Sequence, residues 1–570
     1  MRFALKNDSV YIQVTHREKE MEIIRSIPYS SYDKQAGFWK FPQCLESIEV
    51  LRKRLTLPKS VEELRDSLLK REENIQSQRD GKLAPELGFP LKPGIKLYEH
   101  QKRGAAMALT AFGAYGGYHP KHSGFGLLFE MGCGKTLTAI AVMGAMYNLK
   151  KIKRVLVVAP TSIIPVWADE IEKFGDFPCS IAPLQGEAKK RCKALTDLVT
   201  ADGLQVAVIN YESVWRTSAE NSIYKAVQDF DADMIICDES QRIKNPVSRQ
   251  SKAMHRLGDV ARYKLILSGT PMSNSPMDFW SQYRFMDSKV FGTNYYRYRD
   301  RYAVLGGFGG QRVVGIRNVG ELKAKVHSMS LRVSKADALD LPEQVFIDRP
   351  CPLTAAETQL YKKVKEECCA ELDSIGATVT AEIVVVKLLR LQQITGGFAQ
   401  LDGEEKPRQI GKTKLKVLED ILEDAVLGSG KKIVVFSRFK PEIDAITGLL
   451  KKMGIGYAAI SGDVPIEQRG DAVKEFQNDD GCMVFVAQID TAGLGITLTA
   501  ADTAVYYSCN FSYAAYEQLL ARTHRIGQRN KCTYIRLISP NTVDEKIYQA
   551  LNDKKNLADL IVDGWRDIFR

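Results

Sequence analysis

Two series of short, unbroken apolar runs, each followed by turn residues and a longer helical pattern, set the strongest limit on how this chain folds. The first series is RVLVVAP (154–160), LQVAVINY (204–211), ADMIICDE (232–239) and YKLILSGT (263–270). The second is KKIVVFSRF (from 431), GYAAISGD (from 456), CMVFVAQ (from 482), TAVYYS (from 503) and YIRLIS (from 534). A strand that is apolar at every position is covered on both faces, which is the setting of a parallel sheet flanked by helices. The expected fold class is therefore α/β, with two parallel-sheet domains in tandem. Length agrees, because 570 residues exceed what one hydrophobic core organises.

Helical patterns lie between the two series, around Ser281 to Tyr302 and Ala355 to Leu391, and the glycine-rich GGFGGQRVVG reads as a hairpin. The basic-aromatic NYYRYRDRY (294–302) carries tyrosines at helical spacing, a pattern of core packing more than of nucleic-acid contact. Ahead of the first series, VYIQV reads as a strand and IIRSIPYSSYDKQAGFWKFP as a helix end, a polar turn and an aromatic strand. Trp39 and Phe41 fall on one face of that strand and Phe38 on the other. RDSLLKREENIQSQRDGK follows as a helix leading into a linker. The resulting organisation is a small α+β module (1–75), a linker (76–94), a first lobe (95–345) with a helical insertion (about 276–330), a helical bridging region (346–410) and a second lobe (411–570).

No run approaches the roughly 18 apolar residues of a spanning helix, and the start MRFALKNDSVYIQ lacks the apolar core of a signal peptide, so a cytoplasmic protein without a membrane partner is expected. Eleven cysteines without paired Cys-x-x-Cys spacing point to reduced thiols rather than disulfides or zinc, with Cys368 and Cys369 on different faces of a helix. The net charge of +11 is compatible with a polyanionic partner without establishing one.

The chemistry concentrates in FEMGCGKTLTAI (129–140). A strand (GLLF), a glycine turn (EMGCGK) and a helix (TLTAIAVMGAMY) make an anion site, because free N–H groups at the helix start point at a phosphate. Met131, Gly132, Cys133, Gly134, Lys135 and Thr136 form the loop. Lys135 would contact the β and γ phosphates of ATP, and the Thr136 hydroxyl would hold Mg²⁺. Phe129 stands where the strict pattern has its outer glycine. At the end of an apolar strand, MIICDESQ offers Asp238 for Mg²⁺, partly through water, and Glu239 to orient or deprotonate the attacking water; the alternative is a solvated acidic turn. A second Gly-Lys-Thr at Gly411 to Thr413 has no preceding strand and is rejected as a phosphate loop. If EQLLARTHRIGQRN is helical, Arg522 and Arg525 project from one face and could stabilise charge in phosphoryl transfer; the alternative is a basic surface helix. Cys133 sits at a helix start where a thiolate is favoured, so thiol reagents are expected to inactivate and ATP to protect.

With those pieces in order, the chain resembles a helicase superfamily 2 ATPase of the Swi/Snf-related branch. LYEHQKRGA is similar to the adenine-reading Q motif, with Gln101 at the base edge and His100 beside it. FEMGCGKT resembles motif I and VLVVAPTSIIPVW motif Ia. DESQRIKN resembles motif II, LSGTPMSN motif III with Ser268, Gly269 and Thr270, and TAGLGITLTAAD and ARTHRIGQ motifs V and VI, with Gly493 and Gly495 in motif V. Gln241 stands where the family usually has the histidine that couples hydrolysis to the nucleic-acid site.

The resemblance implies two RecA-like lobes, ATP and Mg²⁺ as cofactors, and translocation along double-stranded or branched DNA, with fork remodelling or strand annealing as refinements. Thr161, Arg438 and Thr491 become DNA contacts, each with a helix cap as the alternative role. The N-terminal module resembles the HARP module of annealing helicases, which would let an aromatic such as Trp39 stack on an unpaired base, or equally leave it as core. A compact bacterial or phage-like form, a monomer and no recognisable histone-binding module complete the expectation. Rival readings are an ATP-driven remover of DNA-bound protein and an ATP-gated, non-translocating DNA clamp.

Overall fold

In the computed structural model, residues 2–6, 8–14, 18–82, 88–115, 119–215, 223–272, 275–306, 312–338, 342–375, 381–400, 407–492, 496–525 and 527–553 are described. The chain divides into two units, Met1–Ala338 and Leu339–Arg570.

The first unit opens with an antiparallel sheet of β1 (Arg2–Lys6), β2 (Ser9–Gln13), β3 (Ser31–Asp33) and β4 (Phe38–Pro42), in the order β1-β2-β4-β3. Alternation along β2 and β4 sends Val10, Ile12 and Phe41 into a core shared with Ile24, Ile48, Leu51, Val61 and Leu68, and Trp39 packs against it on the Phe41 face. The helix Lys59–Arg79 supplies Val61 and Leu68 to that core and then continues where a linker was expected. Further along it, Arg71 donates to Ala111 O (2.9 Å) and Ser123 Oγ (3.1 Å), and Gln78 exchanges hydrogen bonds with Thr110 (2.8 and 3.1 Å). One continuous helix thus ties the module to the parallel-sheet domain. Asp8 adds a second tie by accepting the N–H groups of Lys121 (3.0 Å) and His122 (2.7 Å).

The parallel sheet of this unit contains β5 (Ser123–Phe129), β6 (Arg154–Ala159), β7 (Cys179–Pro183), β8 (Leu204–Asn210), β9 (Met234–Asp238) and β10 (Tyr263–Leu267). After a hairpin of β11 (Ala303–Gly306) and β12 (Arg312–Ile316), whose loop falls outside the described residues, β13 (Ser330–Val333) returns to the sheet. The order is β13-β5-β10-β9-β6-β8-β7 with every pair parallel. All residues of β5, β9 and β10 are buried, the polar Ser123, Asp238 and Lys264 included, as expected of central strands covered on both faces. Tyr298 and Tyr302 are buried against Phe291, so these two tyrosines of the basic-aromatic stretch serve the core.

In the second unit β14 (Gln344–Pro350), the two-residue pair β15 (Phe398–Ala399) and β16 (Arg408–Gln409), β17 (Ile433–Ser437), β18 (Tyr457–Ile460), β19 (Val484–Gln488), β20 (Thr503–Tyr506) and β21 (Cys532–Ile538) follow in turn. The sheet order is β14-β21-β20-β17-β19-β18, again all parallel. Region 346–410 is therefore no bridge. Its first residues lie in β14, and the helices Ala355–Ile375 and Ala381–Thr395 bury Leu372, Val384, Leu388 and Leu391 in one core with Val434 and Phe485. At the rejected Gly-Lys-Thr, Thr413 Oγ1 donates to the buried Glu357 carboxylate (3.1 Å), which puts a negative charge where a phosphate would have to sit. Next to it, Lys414 forms a buried ion pair with Asp544 (2.7 Å). All eleven cysteines are free, Cys368 buried and Cys369 only partly so. Among the described residues, no helix is long and apolar enough to cross a membrane.

Candidate functional site

Strand β10 lies between β5 and β9 in the sheet, with Leu267 level with both Leu127 and Asp238. The loops leaving the carboxyl ends of these three strands therefore emerge side by side, the usual position of a ligand site in an α/β sheet. They carry, respectively, the glycine loop, Asp238 with Glu239, and Ser268 to Thr270.

The glycine loop ends at the helix Lys135–Asn148. Gly132 (φ 91°) and Gly134 (φ 78°) occupy the left-handed region, and a Cβ on Gly134 would also collide with the Gln101 amide. Lys135 is buried at the loop, where its Nζ donates to Phe129 O (3.1 Å). Thr136, next to it, is half-buried at the first turn of the helix.

Asp238 is buried, and its two carboxylate oxygens are each held by one donor: Oδ2 by the Trp167 indole N–H (2.9 Å) and Oδ1 by the Glu239 N–H (2.9 Å). Burial, and then the neighbouring Glu239, push its pKa well above the usual carboxylate range, while Lys135 pulls it back. The Tyr211 hydroxyl donates to the Asp238 carbonyl, pinning the main chain at the strand end. Glu239 follows at φ 52°, ψ 54°. Its carboxylate accepts the Gln241 amide N–H (2.6 Å), the Gln241 carbonyl accepts the Ser268 hydroxyl (2.7 Å), and Ser268 Oγ accepts the Thr270 N–H (3.1 Å). Gln241, in the position of a family histidine, thus joins the Glu239 carboxylate to the loop after β10. Gly269 keeps that loop close to the glycine loop, since a Cβ there would stand 3.2 Å from the Met131 nitrogen.

Several expected roles change on inspection of the geometry. Gln101 is fully buried; its Oε1 accepts the Tyr98 N–H (2.8 Å) and its Nε2 donates to Cys133 O (3.3 Å) and Gly134 O (3.4 Å). In this arrangement it braces the glycine loop. His100 does the same through Nε2 to Cys133 O (2.9 Å), with its ring edge on Phe129, and burial lowers its pKa. Cys133 is fully buried, and desolvation pushes its thiol up to about 11 against the pull of Lys135, so the activated thiolate expected from its helix-start position is corrected.

In the second unit, the helix Tyr513–Thr523 ends before Arg525, so Arg522 and Arg525 do not share a helix face. They are brought together differently: Arg522 Nη1 donates to Ile496 O (3.4 Å) and Arg525 Nη1 to Thr497 Oγ1 (2.7 Å). Gly493 and Gly495 lie outside the described residues. Arg438 stacks on Phe511 (4.1 Å to the ring centre) and donates to Gln392 (3.1 Å), which occupies it within the unit's own packing. Thr491 is buried and Thr161 exposed. Trp39 is half-buried with its ring 5.4 Å from that of the exposed Tyr32. Trp167 had no role in the sequence reading; the only signal was its place in VLVVAPTSIIPVW, and nothing there shows that its N–H meets Asp238.

The SNF2-related domain family model matches residues 34–396, and the helicase conserved C-terminal domain model matches residues 413–527. The chain belongs to the SNF2-related family. The chicken (Gallus gallus) DNA repair and recombination protein RAD54-like is 26% identical over 481 residues, covering 77% of this chain and 64% of the relative. The mouse (Mus musculus) chromodomain-helicase-DNA-binding protein 1-like is 26% identical over 486 residues, covering 83% of this chain and 50% of the relative. The SNF2-related chain thus spans 64% and 50% of the lengths of these two relatives. Among solved structures, the Sulfolobus solfataricus SWI2/SNF2 ATPase core in complex with dsDNA is 25% identical, with a TM-score of 0.39, over 84% of this chain and 96% of that one.

Proposed function

We propose that the chain is a DNA-dependent ATPase that couples ATP hydrolysis to movement along duplex DNA. The observation that carries the reading is the meeting, at the carboxyl edge of one parallel sheet, of a glycine loop with Lys135, a buried Asp238 and a Glu239 already linked through Gln241 to Ser268. Lys135 leaves the Phe129 carbonyl to contact the β and γ phosphates. Glu239 orients the attacking water and takes its proton, and the Gln241 amide fixes the carboxylate for that task. A hard cation takes oxygen donors, and the Asp238 carboxylate with the Thr136 hydroxyl offers such a set, so these two residues would hold Mg²⁺. Bound there, Mg²⁺ would offset charge on the phosphates. Arg522 and Arg525 are assigned to charge that develops on the transferred phosphoryl group.

Duplex DNA as partner is supported by the net charge of +11 and by the relationship to a DNA repair and recombination protein. ATPase activity measured with single-stranded, duplex and forked DNA tests the whole reading. Duplex should stimulate, and binding should weaken with salt at a slope near −0.9 per neutralised phosphate. Hydrolysis indifferent to DNA refutes the partner, and no hydrolysis at all refutes the nucleotide assignment.

A further inference from the structure

The helix Ile164–Phe174 follows β6 through a short turn, Thr161–Ile163, and buries Ile164, Trp167 and Ile171 along one face. Its entry is exposed at Thr161, while Trp167, roughly 9 Å further along at the rise of a helix, is buried with its indole N–H on Asp238 Oδ2 (2.9 Å). Strand β6 pairs with β9, with Val158 level with Cys237, so the helix entry and the Asp238 strand end are adjacent in the sheet. The Glu239 N–H is intrinsic to the Asp238 turn, which leaves Trp167 as the carboxylate's hydrogen-bond donor from another element among the described residues. An indole N–H donates only. It orients the carboxylate while leaving the other lone pairs to a cation or water. The pairing is not a requirement of burial in this fold, because the indole N–H groups of Trp39 and Trp280 are buried with no partner among the described residues.

We propose that Trp167 is a positioning residue that transmits the disposition of the Thr161–Phe174 segment to the Asp238 carboxylate, so that a DNA backbone held at the exposed Thr161 end sets the geometry of the cation-holding oxygen. The inference rests on the nucleotide-site reading and the duplex-DNA partner proposed above, with Thr161 as the DNA contact that the family resemblance implies. A small rotation of the helix swings the indole off Oδ2 and frees the carboxylate to turn; DNA at the entry holds the helix and with it the hydrogen bond. Loss of an outer partner of a metal-holding group costs roughly 10- to 100-fold in metal affinity. Trp167→Phe keeps an aromatic ring, though a smaller one, and removes the donor.

The test uses the full chain labelled with 5-fluorotryptophan, whose five tryptophans give five ¹⁹F resonances. The Trp167 resonance is identified by its loss in Trp167→Phe or, if that variant does not fold, by elimination from single substitutions at the other positions. Mg²⁺ with ADP should shift this resonance, and duplex DNA without nucleotide should shift it too. In Trp167→Phe, half-saturating Mg²⁺ should rise roughly 10- to 100-fold, the KM for ATP at saturating Mg²⁺ should stay near wild type, and stimulation by duplex should fall several-fold. A variant that melts earlier but keeps wild-type Mg²⁺ dependence and stimulation reduces Trp167 to packing and overturns the proposal. So does a resonance that DNA or Mg²⁺ with ADP leaves unmoved in a wild-type chain that binds them. Absence of any Mg²⁺-ADP binding by the wild-type chain instead overturns the nucleotide reading, and the proposal with it.

Discussion

Cys133 lies inside the glycine loop, yet the structure makes it one of the least reactive thiols to expect there. Burial raises its pKa from 9.0 to about 11. Since thiolate is the reacting form, a two-unit rise lowers the reactive fraction near neutral pH roughly 100-fold relative to an unperturbed thiol. The side chain is also 0% exposed, so a reagent must wait for the loop to open, and this multiplies the suppression. Timed iodoacetamide labelling followed by peptide mass spectrometry should therefore find Cys133 modified at least ~100-fold more slowly than the half-buried Cys192, with the difference abolished in urea. The Cys133 rate should keep climbing about tenfold per pH unit until pH nears 11. Any inactivation by thiol reagents should persist at an unchanged rate in Cys133→Ala. Labelling of Cys133 as fast as Cys192 in the folded chain, with specific protection by ATP, would refute the burial argument.

Lys135→Ala should lower ATP turnover roughly 10²- to 10³-fold with an unchanged melting temperature; near-normal turnover would remove the nucleotide site from the first unit. Gln241→Ala breaks the Glu239 to Ser268 chain and should reduce DNA-stimulated turnover more than nucleotide affinity, read as a kcat loss at constant KM. Lys414→Met leaves Asp544 buried without its cation and should cost about 3–5 kcal/mol in urea unfolding of the second unit, most of it recovered by adding Asp544→Asn. His255 is buried on Ser281 with its pKa lowered from 6.5 to about 4. As pH falls from 6.5 through 4 the unfolded chain takes up a proton that the folded one resists, so the first unit should lose on the order of 3 kcal/mol across that window, and His255→Gln should flatten the loss.

The strands that sequence revealed most clearly are those buried on both faces, such as β9 and β17, because a continuous apolar run has no other comfortable setting. Two edge strands escaped the same reasoning: β7 is only half-buried and ends exposed, and β14 runs into polar, exposed residues. The strand-end positions of the glycine loop and Asp238 were legible because both follow directly on an apolar run. Roles decided by distant partners were not. Gln101 caps its own helix while gripping the loop more than thirty residues away, and Trp167 reaches Asp238 across 71 positions. Arg525 was misplaced for a smaller reason, since the sequence carries no strong stop signal between Thr523 and Gly527 and the helix ends there regardless.

Glu239 illustrates a conflict between folding and chemistry. Its main chain occupies a conformation that costs a side-chain-bearing residue roughly 1 kcal/mol and costs glycine almost nothing. A chain selected only for its melting point would drift toward glycine or asparagine here, and laboratory selection for heat resistance alone should do the same. With the role proposed for Glu239, such variants would emerge hardier and inert. Under the proposed role, the carboxylate is held at this turn against the preference of its own backbone, which limits how far this protein can be stabilised while it still works.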